Sequence, residues 1–171
     1  MSKQRELLLF EEPQLTFGFG QQLAHPKDGL LLYGPYYNPH AGGRMRIGLI
    51  TTAEGESRYR KWVKKLSKVI RPAKANDPNH TVFPGFQATF QAEWPENPTT
   101  TLIVDANELH RAICMEDRHQ AIHKSVSLYA DAISNFVRER SEVTLDLWIA
   151  VIPEEVYRLG RPQSKVSKEE R

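Results

Sequence analysis

Three stretches of the chain have the apolar pattern of strands, and two stretches with helical spacing separate them. Met45, Ile47 and Leu49 alternate with Arg46, Gly48 and Ile50 ahead of Thr51-Thr52, which predicts a short strand entering a core. Thr99 to Val104 is β-branched and ends in Leu102-Ile103-Val104, predicting a second. Val143, Leu145 and Leu147 lead into the unbroken run Trp148 to Ile152, closed by Pro153. That third strand reads as apolar on both sides, as in a parallel sheet covered by helices. Between the first two, Tyr59, Trp62, Val63, Leu66, Val69 and Ile70 recur three and four apart and predict a helix from Ser57 to Ile70, ended by Arg71-Pro72. Between the second and third, Asn107 to Met115 predicts a helical piece. Asp117 and Gln120 have the spacing of a capping box that restarts the helix, which Ile122, Val126, Tyr129, Ile133, Phe136 and Val137 carry to Arg140. The expected fold is α/β: a Rossmann-like βαβαβ parallel sheet flanked by helices, with an extended N-terminal arm.

The flanks are less regular. Leu7 to Phe10, then Leu15, Phe17 and Phe19 alternating with Thr16 and Gly18, read as an arm lying on the core, and His25 to Gly29 reads as a turn by composition. The apolar run Leu30 to Tyr33 stops at Gly34-Pro35, and Pro35, Pro39 and Gly42-Gly43 oppose regular structure until Arg44. Ala73 to Pro98 reads as a long connection with a short hairpin or irregular excursion, its Phe83, Phe86 and Phe90 tucked against the core. The expected organisation is an arm and loop over 1–44, the α/β domain over 45–159, and a polar tail or linker over 160–171.

Bulk charge names no partner, because Lys+Arg 23 against Asp+Glu 21 leaves only +2. Local clustering does. The polar face of the Ser57 to Ile70 helix carries Arg58, Arg60, Lys61, Lys64, Lys65 and Lys68, with Glu54 and Glu56 at its amino end. Arg58, Lys61, Lys64, Lys65 and Lys68 are therefore the candidate nucleic-acid-binding residues, set against the plainer reading of a solvated amphipathic face. The junction at Thr51 to Gly55 belongs at the carboxyl edge of the sheet, where helix amino termini offer N–H groups to anions. The chain has no signal-peptide pattern and no stretch able to span a bilayer, so a cytoplasmic location is expected.

Catalytic signals are incomplete. No Walker loop, no nucleophile elbow and no dinucleotide-binding glycine pattern is present. Asp105, at the end of the second strand, reads as a helix cap or as a catalytic acid, with Asn107 a second capping side chain. Cys114 is the single cysteine, which excludes a disulfide framework and a multi-cysteine zinc site. His110, Cys114, His119 and His123 fall on the helical stretch, and His119 and His123 share a face at a spacing that could hold a metal. The break near Asp117 separates the four, so no metal and no cofactor are expected. Arg118 and His123 also match the Arg-x4-His pattern of HEPN ribonucleases, an all-α family whose fold the strands contradict. A non-enzymatic protein is expected; the alternative is a metal-dependent α/β hydrolase or nuclease using Asp105 and the His110–His123 cluster.

Four ordered segments carry a resemblance: Glu12 to Gly18 (EPQLTFG), His25 to Leu30 (HPKDGL), Tyr33 to Tyr36 (YGPY) and Arg46 to Ile50 (RIGLI). Together they resemble the opening of the MID–PIWI module of short prokaryotic Argonautes, and Phe83-Pro84-Gly85-Phe86 and Val151 to Glu155 are similar to later segments of that family. The resemblance implies a guide-binding protein without catalytic acids. Such a protein holds guide RNA, pairs it with single-stranded target DNA, and works with a PIWI lobe or an effector protein in defence against invading DNA. It places the family's 5′-phosphate pocket and PIWI lobe downstream of this chain. The expectation is accordingly a truncation, a natural fragment or a lone MID-like domain.

Overall fold

The computed structural model describes residues 13–72 and 82–161. In chain order the elements are β1 (Leu15–Thr16), β2 (Gln22–Leu23), α1 (Pro26–Tyr33), β3 (Ile47–Thr51), α2 (Ala53–Leu66), α3 (Phe86–Phe90), β4 (Thr100–Ile103), α4 (Ala106–Ile113), α5 (Arg118–Glu139), β5 (Leu147–Ala150) and α6 (Glu154–Leu159). They form two compact units: residues 44–67 with 93–161, and residues 13–43 with the described part of 68–92. The predicted arm over Leu7 to Phe10 and most of the predicted tail lie outside the described residues.

The larger unit is built around β3, which pairs in parallel with β4 on one side and β5 on the other. The chain's first core strand is thus the middle one, and its crossovers leave in opposite directions. Two crossovers of the same hand leaving opposite ways put their helices on opposite faces, and the packing agrees. Ile47 and Leu49 meet Tyr59 and Val63 of α2, with Met45, Trp94, Leu147, Ile149 and Val151 around them. Ile50 points the other way, to Val104, Leu109 and the α5 residues Leu128, Tyr129, Ala132 and Ile133. This is the period-two alternation of a strand, with both sets buried because both faces are covered.

Gly48 has a packing reason: a Cβ there would lie 2.6 Å from the ring of Trp148, its neighbour in register on β5. The indole lies over the glycine and meets Phe136 of α5 edge-on, ring centroids 5.4 Å apart. Just before these strands begin, Arg46 and Asp146 close the pair. Asp146 accepts from the Arg46 backbone N–H and from its guanidinium, both at 2.7 Å.

Several expectations are corrected here. The helix predicted for Ser57 to Ile70 runs from Ala53 to Leu66, because Thr52 caps it five residues before the expected start. Beyond it Ile70 bridges to Phe83 and Val69 is exposed, so neither belongs to the helix's apolar face. The strand buried on both faces is β3, all five of whose residues are buried. The third predicted strand is shortened to the edge strand β5, Leu147–Ala150; both its faces are covered, Leu147 and Ile149 on the α2 side and Trp148 on the α5 side, but these residues are only half-buried. On α5 the packing side chains include Leu128 and Ala132, while Val126 and Val137 face out.

In the smaller unit the segment read as a turn at His25 is the first turn of α1, with Pro26 at its amino end, where the missing N–H costs nothing. Gly29 persists inside that helix because the Phe17 ring occupies the space of a side chain. The predicted hairpin near Phe86 is the short helix α3, whose Phe86 and Phe90 rings meet at 4.6 Å.

Burial pushes the phenols of Tyr59 and Tyr129 above their usual ionisation range, and the hydrogen bond from Trp94 only partly offsets this at Tyr59. The unfolded tyrosines therefore ionise first. Stability should be independent of these groups below pH about 10 and should fall as pH rises through the folded-state values. Urea midpoints measured across the alkaline range would test this, and a flat profile there would refute it.

Candidate nucleic-acid interface

The basic residues of α2 fall into two groups once their partners are known. Arg58 pairs with Glu54 at 2.7 Å and Arg60 with Glu56 at 2.8 Å, both one turn apart, while Lys64 reaches Glu96 at 3.0 Å. Lys61 and Lys65 make no ion pair among the described residues, and both are exposed. Lys68 lies beyond the Ser67 cap and belongs to the other unit, so the five predicted cations do not form one row on one helix. Exposed pairs of this kind contribute little, so a phosphate can displace a carboxylate from Arg58 or Lys64 at small cost. Lys61 and Lys65 need displace nothing.

Sequence reasoning placed Trp62 on the buried face. The ring is instead 45% exposed. Arg58, Lys61, Trp62 and Lys65 recur at 0, 3, 4 and 7, which is one stripe of a helix. That spacing was readable in the sequence; what it could not supply was that Tyr59 and Val63 would satisfy the core without Trp62. The indole is not loose. It packs edge-on to Trp94 at 5.5 Å and 87° and touches Tyr59 at 6.3 Å. Trp94 is itself held by donating its indole N–H to the Tyr59 hydroxyl at 3.1 Å, and that hydroxyl donates to the Pro95 carbonyl at 3.0 Å. An aromatic face braced from behind and flanked by cations can stack on a base while its neighbours meet phosphates.

The junction at Thr51 to Gly55 sits at the carboxyl edge of the sheet, but its surroundings are acidic. Thr52 caps the helix by accepting the Gly55 N–H at 3.4 Å, and Glu54 and Glu56 stand in the first turn. The Arg58 guanidinium is held more firmly charged first by its hydrogen bond to Glu54 and, more weakly, by Glu154 at the start of α6. Carboxylates therefore answer the positive end of α2, and the anion cradle expected there is not formed.

The residues considered for catalysis are dispersed. Asp105 accepts the Glu108 N–H at 2.8 Å and caps α4, as Asp117 accepts the Gln120 N–H at 2.8 Å and caps α5. Arg118 donates to the carbonyls of Leu159 and Arg161, tying α5 to the end of α6. His119 and His123 are exposed and line a shallow groove with Met115, Gln120 and Lys124. His110 stands apart from them, with its ring beside Glu155. Compared with known proteins, the chain matches no family model and no curated sequence.

Proposed function

We propose that this chain is the guide- and target-binding part of a catalytically inactive short Argonaute-like protein, acting in the cytoplasm in prokaryotic defence against invading DNA. The observation that supports it best is the stripe on α2, where Lys61 and Lys65 are unanswered by carboxylates among the described residues, beside the braced, half-exposed ring of Trp62. Single-stranded guide RNA or target DNA is the ligand such a stripe suits, and a PIWI lobe or effector protein would complete the assembly. The strand order, with β3 central and helices on both faces, favours the Rossmann-like arrangement that this reading assumes. The hydrolase or nuclease alternative is weakened by Asp105 serving as a cap.

The test is a salt titration of binding to labelled single strands. Lys61→Glu/Lys65→Glu should weaken binding at low salt and flatten the slope of log affinity against log salt by about one to two, since each lost phosphate contact on a single strand removes about 0.7. Trp62→Ala should cost about 1–3 kcal/mol of binding with the slope unchanged. Unchanged affinity and slope in the double mutant would return α2 to a solvated face.

A further inference from the structure

We propose that His110, Cys114 and Glu155 form a binding site for a zinc-type divalent cation that clamps α6 onto α4. The site is independent of the α2 stripe. Its three donors come from two helices, and their ligating atoms all lie within 4.8 Å of one another. His110 and Cys114 are one helical turn apart at the carboxyl end of α4, the spacing at which two side chains of one helix can grip a single ion. Glu155, in the first turn of α6, is delivered from 45 residues away and sits 2.5 Å from His110 Nδ1. The Cys114 sulfur is 3.9 Å from both ring nitrogens of that histidine.

These distances bracket what a tetrahedral ion requires. With bonds of about 2.0–2.1 Å to nitrogen and oxygen and about 2.3 Å to sulfur, the tetrahedral edges are about 3.4 Å from nitrogen to oxygen and about 3.6 Å from nitrogen to sulfur. The carboxylate must move about 0.9 Å away from the ring, and the thiol must close on both partners, since the donor atoms lie up to 4.8 Å apart. Both movements are within reach of side-chain rotation. A nitrogen, sulfur and carboxylate oxygen set suits zinc rather than calcium or magnesium, which take oxygen ligands. The surroundings also fit. Ile113, Cys114 and Leu159 form a buried apolar cluster with Val156 packed on it, so the sulfur side is dry. The side chains of His110 and Glu155 are about half and two-fifths exposed and give the ion access from solvent. Three protein donors leave a fourth position for water.

Binding releases the thiol proton to solvent as the sulfur–metal bond forms, so affinity should fall as pH is lowered. The experiment titrates the full chain with Co2+ and then displaces it with Zn2+. One equivalent of Co2+ should bind with a thiolate-to-cobalt charge-transfer band, and Zn2+ should abolish the band and raise the melting temperature. Loss of an outer-sphere partner typically costs about 10–100-fold in affinity, so removal of a direct ligand should cost at least that much. Glu155→Gln and His110→Ala alter half-exposed side chains, and each should weaken binding by this factor. Cys114→Ser should remove the charge-transfer band. His123→Ala, outside the cluster, should bind as the parent does. No one-to-one binding in the parent, a charge-transfer band that survives Cys114→Ser, or undiminished affinity in Glu155→Gln would each overturn the site.

Discussion

Trp148→Ala is expected to destabilise the sheet unit by about 3–5 kcal/mol, and Gly48→Ala by about 1–3 kcal/mol through overpacking. In combination the two costs should fall well short of their sum. The reason is a single contact: the Trp148 ring fills the space in which a Gly48 side chain would have to lie, 2.6 Å from its nearest carbon. With the indole present, a methyl at position 48 forces either the edge strand or the ring to shift, and the ring is fixed by Phe136 from α5. With the indole gone, the same methyl enters the cavity and fills part of it. Residues in contact couple by about 0.5–3 kcal/mol, and here the coupling should be favourable and near the middle of that range. Urea unfolding of the two single mutants and the double mutant, at constant slope against denaturant, measures it. Strict additivity would mean that Trp148 moves freely enough to accommodate the methyl.

The same glycine marks where the sequence was readable and where it was not. Met45, Ile47 and Leu49 announced a strand by their alternation, and the stretch after that strand announced a helix through Tyr59 and Val63. These are local signals, set by side-chain period, and the structure keeps them. Strand order is not local. Trp148 to Ile152 is apolar in an unbroken run and β5 is covered on both faces, yet it lies at the edge of the sheet and β3 holds the centre. Nothing in a run of apolar residues tells how many neighbours the backbone will find. Helix α1 was hidden for another reason. Pro26 and Gly29 are turn residues by composition, and only the Phe17 ring, nine residues before Pro26, explains why a glycine stays inside a helix.

The candidate sites divide in the same way. Arg58, Lys61 and Lys65 share a stripe because helical spacing is written in the sequence. Their electrostatic inequality is not written there, since it depends on Glu54 within the helix and, for the neighbouring Lys64, on Glu96 from a loop 32 residues on. The histidines show the opposite error. His119 and His123 have metal-binding spacing but no third donor beside them among the described residues, whereas His110 acquires Cys114 from its own helix and Glu155 from a helix beyond a later strand. Spacing within a helix proposes pairs. Topology decides which pair gains a third partner.

On the proposed function, Tyr59→Phe should lower both stability and nucleic-acid affinity although it removes no charge and no carbon. The ring is buried against Ile47, Leu49 and Val63, and phenylalanine fills the same volume, so no cavity opens. What disappears is the hydroxyl that accepts the Trp94 N–H and donates to the Pro95 carbonyl. Depriving a buried polar group of a partner costs about 1–3 kcal/mol; the Tyr59–Pro95 bond is buried and the Trp94 bond only partly so, and a loss of about 1–3 kcal/mol in the unfolding free energy is expected. The functional effect passes through Trp94. Without that hydroxyl its indole is held less firmly against Trp62, and the exposed ring is then less well oriented to stack on a base. Lys61 and Lys65 are untouched, so affinity should fall at every salt concentration with the slope of log affinity against log salt unchanged. Urea unfolding and the single-strand titration together test the chain of contacts: weaker binding with a flattened slope would place the damage on the lysines, and full affinity would show that Trp62 is positioned without help from Tyr59.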